Sequence, residues 1–346
     1  MAGVTAKMIA QHLGVSQAAV SIALNGKQGI GDDTRKEILA AAERMGYDPG
    51  KLSAVRNQHR SLCFVFYVNK LVSIAENTTF SSFVLKGAEA AASALGYSMF
   101  VRYFRSGEAF ASQMESQLQD IDGVILLGTD ITSEDKEEVS AFLERVSGKP
   151  VVIIDSHDTF GVADCVCNDN YGGGAQAAAY LLERGCKSVG YIRSKQRNHN
   201  FRLREQGLAD TLNEAGIKLD VFIDTDCSFD EAYNKMNEYL KRTDHIPEGF
   251  FAENDVIAAA AIRAFNANAI RVPEQVSIIG FDDIPICELT APALTTVRSY
   301  KEQLGEAAVN NLASKLSSSL PEDSSEEHGC MTILVSTGLH IRGSVK

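Results

Sequence analysis

Residues 4–26 read VTAKMIAQHLGVSQAAVSIALNG, and their apolar residues recur at the spacing of two short helices. Thr5 can cap the first helix and Ser16 the second, and Gly14 allows a tight turn between them. Two short helices joined by such a turn form a helix-turn-helix, in which the second helix enters the major groove of DNA. The alternative is a helical hairpin that merely begins a globular domain.

Residues 32–45, DDTRKEILAAAERM, predict a third helix with one apolar face and two leading acids that favour its dipole. A Pro- and Gly-containing break and a short polar segment follow, before the apolar run LCFVFYV. The stretches SQAAVSIALNG (16–26) and TRKEILAAAERMGYDP (34–49), with this connection, resemble the N-terminal headpiece of the LacI/GalR family. That headpiece has a helix-turn-helix, a third helix ending in a Gly-Tyr-x-Pro turn, and a hinge that docks in the minor groove.

The resemblance implies a set of DNA-contacting residues, of which Gln17, Ala18 and Ile22 are expected to face bases. The full set is Thr5, Ser16, Gln17, Ala18, Ser21, Ile22, Asn25 and Arg56. Two of them depart from the family pattern, because Ile22 replaces an arginine that reads guanine and Arg56 replaces a leucine that wedges into the minor groove. We therefore expect an unusual operator sequence and a minor-groove contact by Arg56 without the wedge.

The length and composition limit the classes of protein to which the chain can belong. A length of 346 residues predicts two or three domains, and 45% hydrophobic content is ample for their cores. No apolar run could span a bilayer and the chain does not begin with a secretory signal, so we expect a cytoplasmic protein without membrane contact. Seven cysteines do not suggest a disulfide framework, and the isolated pair Cys165 and Cys167 predicts reduced core or strand residues.

The charge distribution favours nucleic-acid binding by the N-terminal region alone. The chain has a net charge of −12, yet residues 1–60 carry eight Lys/Arg against five Asp/Glu, which leaves them at +3 and the remainder at −15. Contact with phosphates needs local positive charge, and an acidic body discourages non-specific binding elsewhere.

Beyond residue 61, apolar runs of strand length alternate with helical periods. This alternation predicts an α/β fold in which a small all-α headpiece precedes two doubly wound parallel-sheet subdomains. The predicted strands are residues 62–68, 97–101, 123–128, 151–155, 188–192, 249–253, 276–281 and 332–336. The predicted helices are residues 80–95, 108–119, 133–146, 170–185, 200–216, 229–241, 254–268 and 299–317.

The body also resembles the LacI/GalR effector domain, most specifically in AENDVIAAAAIRAF (252–265) and VSIIGFDDIPICELTAPALTTVRS (276–299). The resemblance implies the periplasmic-binding-protein type I fold, with three chain crossovers and a ligand cleft between two subdomains. The expected domains are a headpiece over 1–49, a hinge over 50–60 and an effector-binding and dimerisation domain over 61–346. Its subdomain one covers about 61–168 and 299–325, and its subdomain two about 169–298 and 330–346.

Polar residues follow several predicted strands, at the ends where open α/β sheets bind ligands. Asp155, Asn254 and Asp282 occupy such positions. The resemblance adds Arg204, at the position of the family's ligand-binding arginine, and Phe80, an aromatic near its first cleft helix. Carboxylates, an amide and a guanidinium on one cleft suit a hydroxyl-rich effector such as a sugar, and Phe80 could stack on its ring.

Patterns for catalysis are missing from the sequence. Gly172–Gly174 opens a predicted helix but lacks the spacing of phosphate-binding loops. No nucleophile elbow or metal-spaced cluster occurs, so we expect no catalytic residues, no metal site, no cofactor and no enzyme. Asp255 and Asp283 are interpreted as helix-start caps rather than ligands.

The sequence therefore predicts a transcriptional repressor that binds operator DNA with an affinity set by a small effector, expected to be a carbohydrate. A symmetric homodimer is expected because one headpiece reads only half a site. The alternative is a cytosolic sugar-binding receptor whose headpiece has weak or vestigial DNA binding, given Ile22 and Arg56. Salt-dependent binding to specific duplex DNA separates the two classes.

Overall fold

The structure is a computed structural model of the chain, whose contacts divide it into two compact units. One is Met1–Arg60 with Gly96–Ser98, and the other is Ser61–Leu95 with Met99–Lys346. The structure describes residues 4–24, 29–47, 60–69, 79–107, 121–146, 148–156, 163–219, 221–317 and 329–346.

The described residues of the N-terminal unit form three helices, whose apolar faces meet in a small core that includes Ile9, Val20 and Ile38. The helices are α1 (Ala6–Leu13), α2 (Gln17–Leu24) and α3 (Asp32–Arg44). The turn after α1 begins at Gly14, whose φ of 67° lies in the left-handed region that glycine tolerates. The predicted helix-turn-helix and third helix are therefore present.

The two predicted helix caps have different outcomes. The Ser16 hydroxyl accepts a hydrogen bond from the Ala19 backbone N–H at 3.0 Å, which confirms Ser16 as the cap of α2. Thr5 occupies the N-cap position of α1, but its side chain makes no capping hydrogen bond, so the predicted side-chain cap is wrong. Only its backbone carbonyl serves the helix, accepting from the N–H groups of Met8 and Ile9.

Strands and helices alternate through the body, as the sequence predicted. In chain order they are β1 (Ser61–Val68), α4 (Phe80–Ala94), β2 (Ser98–Arg105), β3 (Gly123–Leu127), α5 (Lys136–Arg145), β4 (Val151–Ile154), β5 (Asp164–Asn168), α6 (Asn170–Glu183), β6 (Val189–Ser194), α7 (His199–Glu214), β7 (Val221–Thr225), α8 (Phe229–Arg242), β8 (Gly249–Ala252), α9 (Asp255–Ala267), β9 (Ser277–Asp282), α10 (Ile286–Leu289), β10 (Thr295–Arg298), α11 (Lys301–Ser317), β11 (Thr332–Val335) and β12 (Gly338–His340).

The strands form two six-stranded sheets, and each sheet is the centre of one lobe. The first has the order β11-β5-β4-β3-β1-β2, and the second has the order β12-β10-β9-β8-β6-β7. The central pairs run parallel, whereas β12 runs antiparallel to β10. All eight residues of β1 are buried, as expected for a parallel strand whose sheet is covered on both faces. The predicted fold class is confirmed.

The chain passes between the lobes three times, after β5, after β10 and after β11. Residues 330–346 were all predicted to lie in the second subdomain, and this is wrong for β11. Thr332–Val335 pairs in parallel with β5 of the first sheet, from Thr332 against Cys165 to Val335 against Asn168. The edge of β5 gains a hydrogen-bonded partner, and the chain enters the second lobe only at β12. The predicted helix over 108–119 lies outside the described residues.

The described residues also bear on the predictions made for the cysteines and for membrane-spanning segments. Cys165 and Cys167 are buried within β5 and are free thiols, as the prediction of core or strand residues required. Among the helices that the structure describes, none is both long enough and apolar enough to cross a membrane.

Candidate functional site

A cleft between the two lobes brings together all five residues that the sequence predicted for the effector. Its lining residues are Phe80, Thr129 and Asp155 from the first lobe and Asn198, Asn200, Phe201, Arg204, Asn254 and Asp282 from the second. Most of them stand at the carboxyl end of a strand or at the start of the following helix, where two doubly wound sheets face each other. The cavity volume is about 10 Å³, which is room for about one water molecule.

Arg204 is the buried cation of the cleft, and its planar group is held on every side. Its Nε donates to Asn170 Oδ1 at 2.8 Å, and one terminal nitrogen donates to the backbone carbonyl of Glu253. The other terminal nitrogen lies 3.6 Å from Asp282 Oδ1. The guanidinium carbon stands 3.5 Å from the centroid of the Phe281 ring. A guanidinium fixed in this way presents its remaining N–H groups in one direction.

Asp282 ends β9 on an unusual turn. Its φ is 107° and that of Asp283 is 56°, both in the region that favours glycine. The buried ammonium group of Lys301, at the start of α11, donates to the backbone carbonyls of both aspartates. Lys301 therefore holds the turn that directs the Asp282 carboxyl group into the cleft. Burial raises the pKa of Asp282, and the charges of Arg204 and Lys301 oppose that rise.

Asp155 lies opposite, at the end of β4, with a φ of 58°. Its Oδ2 accepts from Thr129 Oγ1 at 2.8 Å and its Oδ1 accepts from Asn168 Nδ2 at 3.2 Å. Burial raises the pKa of Asp155 to about 6, although the charge of Arg204 opposes the rise. Both of its oxygens already have protein partners, so Asp155 is a positioned acceptor rather than an unpaired one.

Three polar atoms of the cleft are buried without a hydrogen-bond partner in the described part of the chain: Asn200 Oδ1, Asn254 Nδ2 and Asp282 Oδ1. Asn254 caps α9, and its Oδ1 accepts from the Ile257 N–H at 2.9 Å, which leaves its NH₂ group free. Asn200 donates its NH₂ group to the Asp155 carbonyl at 2.7 Å, which leaves its oxygen free. Unpaired buried polar atoms cost free energy until a ligand or water satisfies them.

Four lining residues were missed by the sequence analysis: Thr129, Asn198, Asn200 and Phe201. Thr129 lies two residues after the end of β3, so the strand-end rule that found Asp155 would also have found it. The other three lie four or more residues after β6, in the loop and the start of α7, beyond the reach of that rule. Asn198 is the N-cap of α7, its Oδ1 accepting from the Phe201 N–H at 2.8 Å, and this cap position was a usable signal.

Asp255 and Asp283 do not cap helices with their side chains, so that interpretation is wrong. Asp255 accepts hydrogen bonds from the Thr296 hydroxyl and a backbone N–H, and burial raises its pKa to about 7. Asp283 pairs with Arg298 at 2.6 Å and Arg342 at 2.7 Å. Burial alone would raise the pKa of Asp283, but hydrogen bonds from His340 and the two arginines hold it at about 2.

In the N-terminal unit, the predicted DNA-contacting residues lie mostly on the surface. Thr5, Ser16, Gln17, Ala18 and Ser21 are exposed and Ile22 is half-buried. The exposed face of α2 is the one opposite the buried Val20, Ala23 and Leu24. Asn25, Arg56 and hinge residues 50–59 lie outside the described residues.

Two family descriptions match the chain. "Bacterial regulatory proteins, lacI family" matches residues 5–50, and "Periplasmic binding protein-like domain" matches residues 178–345. The chain is 27% identical to the HTH-type transcriptional repressor PurR of Pasteurella multocida over 99% of this chain and 98% of that protein. It is 28% identical to the PurR repressor of Mannheimia succiniciproducens, with the same shares covered.

Solved structures agree in fold. The complex of the transcriptional regulator CelR with cellobiose is 25% identical, with a TM-score of 0.70 and 99% of each chain covered. The Lac repressor dimer bound to operator and the anti-inducer ONPF is 20% identical, with a TM-score of 0.69 and the same coverage, which bears on the fold alone.

Proposed function

This chain belongs to the lacI family of bacterial regulatory proteins, and we propose that a small hydroxylated ligand controls its binding to DNA. Membership makes it a DNA-binding transcriptional regulator and not an enzyme. The ligand binds between the two lobes of the body, and the reading helix for DNA is α2. The effector is a sugar or a sugar derivative.

The class of ligand is inferred from the three buried atoms of the cleft that have no hydrogen-bond partner among the described residues. Asn200 Oδ1 and Asp282 Oδ1 are acceptors, and Asn254 Nδ2 is a donor. A hydroxyl group both donates and accepts, so a ligand with several hydroxyls on one ring satisfies all three atoms at once. The Phe80 and Phe201 side chains also line the cleft and offer apolar surface to a sugar ring. The CelR–cellobiose complex, 25% identical, supports the same ligand class.

DNA recognition rests on the exposed face of α2 and on local charge. Gln17 and Ala18 face away from the buried side of the helix, as base-reading residues must. Residues 1–60 carry +3 in a chain whose net charge is −12, so attraction to phosphates is confined to this region. Two copies in a symmetric dimer would read the two halves of a palindromic operator. A sugar receptor without DNA binding is the alternative.

A thermal-shift panel tests the ligand class. Purified protein is melted with cellobiose, ribose, other mono- and disaccharides, and nucleobases. A ligand at 100 times its Kd adds about 2.7 kcal/mol to the free energy of unfolding and raises the melting temperature. Asp282→Ala removes an acceptor that has no hydrogen-bond partner in the described residues and should abolish that rise, whereas Asp230→Ala, on the exposed surface of α8, should keep it. A rise with nucleobases alone would replace the sugar by a heterocycle.

Binding to DNA separates the regulator from the receptor. A random-duplex selection with the full chain should return a palindromic sequence, and affinity for it should fall steeply with salt. Absence of any enriched sequence, in a protein that still binds a sugar, would favour the receptor.

A further inference from the structure

One loop of the second lobe makes three side-chain contacts across the cleft. Residues 196–200, QRNHN, connect β6 to the first turn of α7. The side-chain NH₂ groups of Gln196, Asn198 and Asn200 donate to three backbone carbonyls of the first lobe. The acceptors are Asp130 at 3.3 Å, Thr129 at 3.0 Å and Asp155 at 2.7 Å.

All three acceptors lie just beyond the carboxyl ends of β3 and β4, on the side of the first sheet that faces the cleft. Asn198 and Asn200 are 2% and 3% exposed, so water has little access to their NH₂ groups and the carbonyls of the first lobe satisfy them instead. The orientation of the Asn198 amide is set by its own helix, because its Oδ1 accepts from the Phe201 N–H at 2.8 Å. Only its NH₂ group can therefore face the first lobe.

The loop is itself fastened to the second lobe, so its amides are fixed before they meet the first. Arg197 forms ion pairs with Glu253 and with Glu205. The Glu253 carboxylate is fully buried and also accepts from the Ser194 N–H and the Tyr191 hydroxyl. A rigid donor set loses little side-chain entropy when it engages, which favours its partners.

We propose that residues 196–200 form an interlobe latch, in which Gln196, Asn198 and Asn200 are positioning residues that hold the two lobes closed. The cavity they close measures about 10 Å³, so a sugar enters only when these bonds release. The latch thereby sets the balance between open and closed lobes with which any ligand competes. Its importance for regulation rests on the proposed function, because the closed cleft is the proposed ligand site.

The latch is tested by measuring the distance between the lobes without ligand or DNA. Spin labels are attached to Glu134→Cys, after β3, and Asp230→Cys, after β7, in a full chain carrying Cys330→Ser. Both label sites are exposed, and Cys330 is the exposed cysteine, the other six being buried. Each follows the carboxyl end of a strand, one in each lobe, so the distance between the labels changes when the lobes separate.

The decisive variant is a double variant that carries both Asn198→Asp and Asn200→Asp. Aspartate at 198 keeps the oxygen that caps α7 but places a carboxylate oxygen against the Thr129 carbonyl in place of a donor. Loss of one hydrogen bond shifts an equilibrium by roughly 2- to 13-fold, and the new oxygen–oxygen repulsion adds to that. We expect one short distance in the unaltered chain and a second, longer population in the double variant. Asn213→Asp, an exposed asparagine on the same helix, should leave the single distance unchanged.

Three results would overturn the latch: a long distance already dominant in the unaltered chain, an unchanged single distance in the double variant, or an equal shift in Asn213→Asp. Circular dichroism melting establishes that each variant is folded. If the double variant does not fold, Gln196→Ala with Asn200→Ala removes two donors without adding charge and is measured instead. These distances are measured without ligand or DNA, so they do not depend on whether the protein binds a sugar or an operator. The latch can therefore be refuted while the proposed function stands, and the reverse also holds.

Discussion

At the scale of single residues, buried carboxyl groups give the body an unusual pH dependence. Burial raises the pKa of Asp155 to about 6 and those of Glu253 and Asp255 to about 7. A carboxyl group with a raised pKa binds protons more tightly in the folded chain than in the unfolded chain. The free energy of unfolding therefore falls as the pH rises from about 4, the ordinary carboxyl pKa, towards these raised values.

Urea unfolding between pH 4.5 and 7.5 should thus give lower stability at the higher pH. Asp155 alone contributes about 2 kcal/mol to this fall, because its raised pKa lies about 1.5 units above pH 4.5 and each unit is worth 1.36 kcal/mol. Asp155→Asn should flatten the profile, because the new amide can accept from Asn168 and donate to the Thr129 hydroxyl. Asp230→Asn, an exposed control, should not alter the slope. A stability that climbs from pH 4.5 to 7.5 would contradict the assignment.

Substitution of Gln17 tests whether this side chain recognises a base of the operator. It is exposed on α2, and an amide side chain can pair with two groups of an adenine edge. We expect Gln17→Ala to cost roughly 1–3 kcal/mol at one base position and to relax the preference there. Gln11→Ala, an exposed glutamine on α1, should leave the selected sequence intact. Identical sequence preferences for the unaltered chain and a Gln17→Ala/Ile22→Ala variant would remove α2 as the reader.

At the scale of elements, Arg204 is positioned by two helices in backbone contact. A Cβ added at Gly174 of α6 would lie 2.1 Å from the Arg204 carbonyl oxygen, and one at Gly207 of α7 would lie 2.0 Å from that of Tyr171. Gly207→Ala must therefore push α7 away from α6, at a cost of about 1–3 kcal/mol in urea unfolding. Gly329→Ala, whose added Cβ meets no atom within 4 Å, is the control. Equal stabilities of the two variants would refute the close crossing.

Strands that are continuous apolar runs were predictable from sequence, whereas strands of mixed composition or very short length were not. β1 and β3 are continuous apolar runs, because helices cover both sides of their sheet. β7, VFIDT, alternates between buried and less buried residues at a sheet edge, and β12 has only three residues. β5, DCVCN, was noticed for its cysteines rather than as a strand.

The lobe to which a strand belongs is set by distant partners, which its own residues do not encode. TILV was predicted as the strand β11, yet its pairing with β5 joins residues separated by more than 160 positions. The same limit applies to the cleft. The strand-end rule found Asp155, Asn254 and Asp282, but Asn198 and Asn200 reach the cleft only through the path of the loop after β6.

At the scale of the whole molecule, the separation of charge predicts how salt acts. With +3 on residues 1–60 and −15 on the rest, phosphate contacts must come from the N-terminal region. The logarithm of DNA affinity falls linearly with the logarithm of salt concentration, by about 0.9 for each phosphate neutralised. Lys7→Gln, on the exposed side of α1, should lower that slope by about 1 if it contacts a phosphate, whereas Lys218→Gln should not change it. Equal slopes for both variants would exclude Lys7 from the interface.

Control of DNA affinity by a ligand requires that the ligand prefer one arrangement of the lobes over another. A ligand shifts such an equilibrium only by its difference in affinity for the two states, typically 1–3 kcal/mol. Asp282 ends a strand of the second lobe, and Lys301, which holds its carbonyl, begins a helix of the first. A ligand on Asp282 therefore acts at the point where the lobes are joined. Asp282→Ala should abolish the ligand response of DNA binding and leave ligand-free DNA affinity within a few-fold.

The measurement is a DNA titration of the unaltered chain and of Asp282→Ala, each with and without the ligand that the thermal-shift panel identifies. Asp230→Ala, on the exposed surface of the same lobe, should respond as the unaltered chain does. A full response by Asp282→Ala would exclude this carboxylate from the site. A loss of DNA binding without ligand would instead mean that Asp282 supports the fold of the body, since a residue that acts only through the ligand leaves the ligand-free state unchanged.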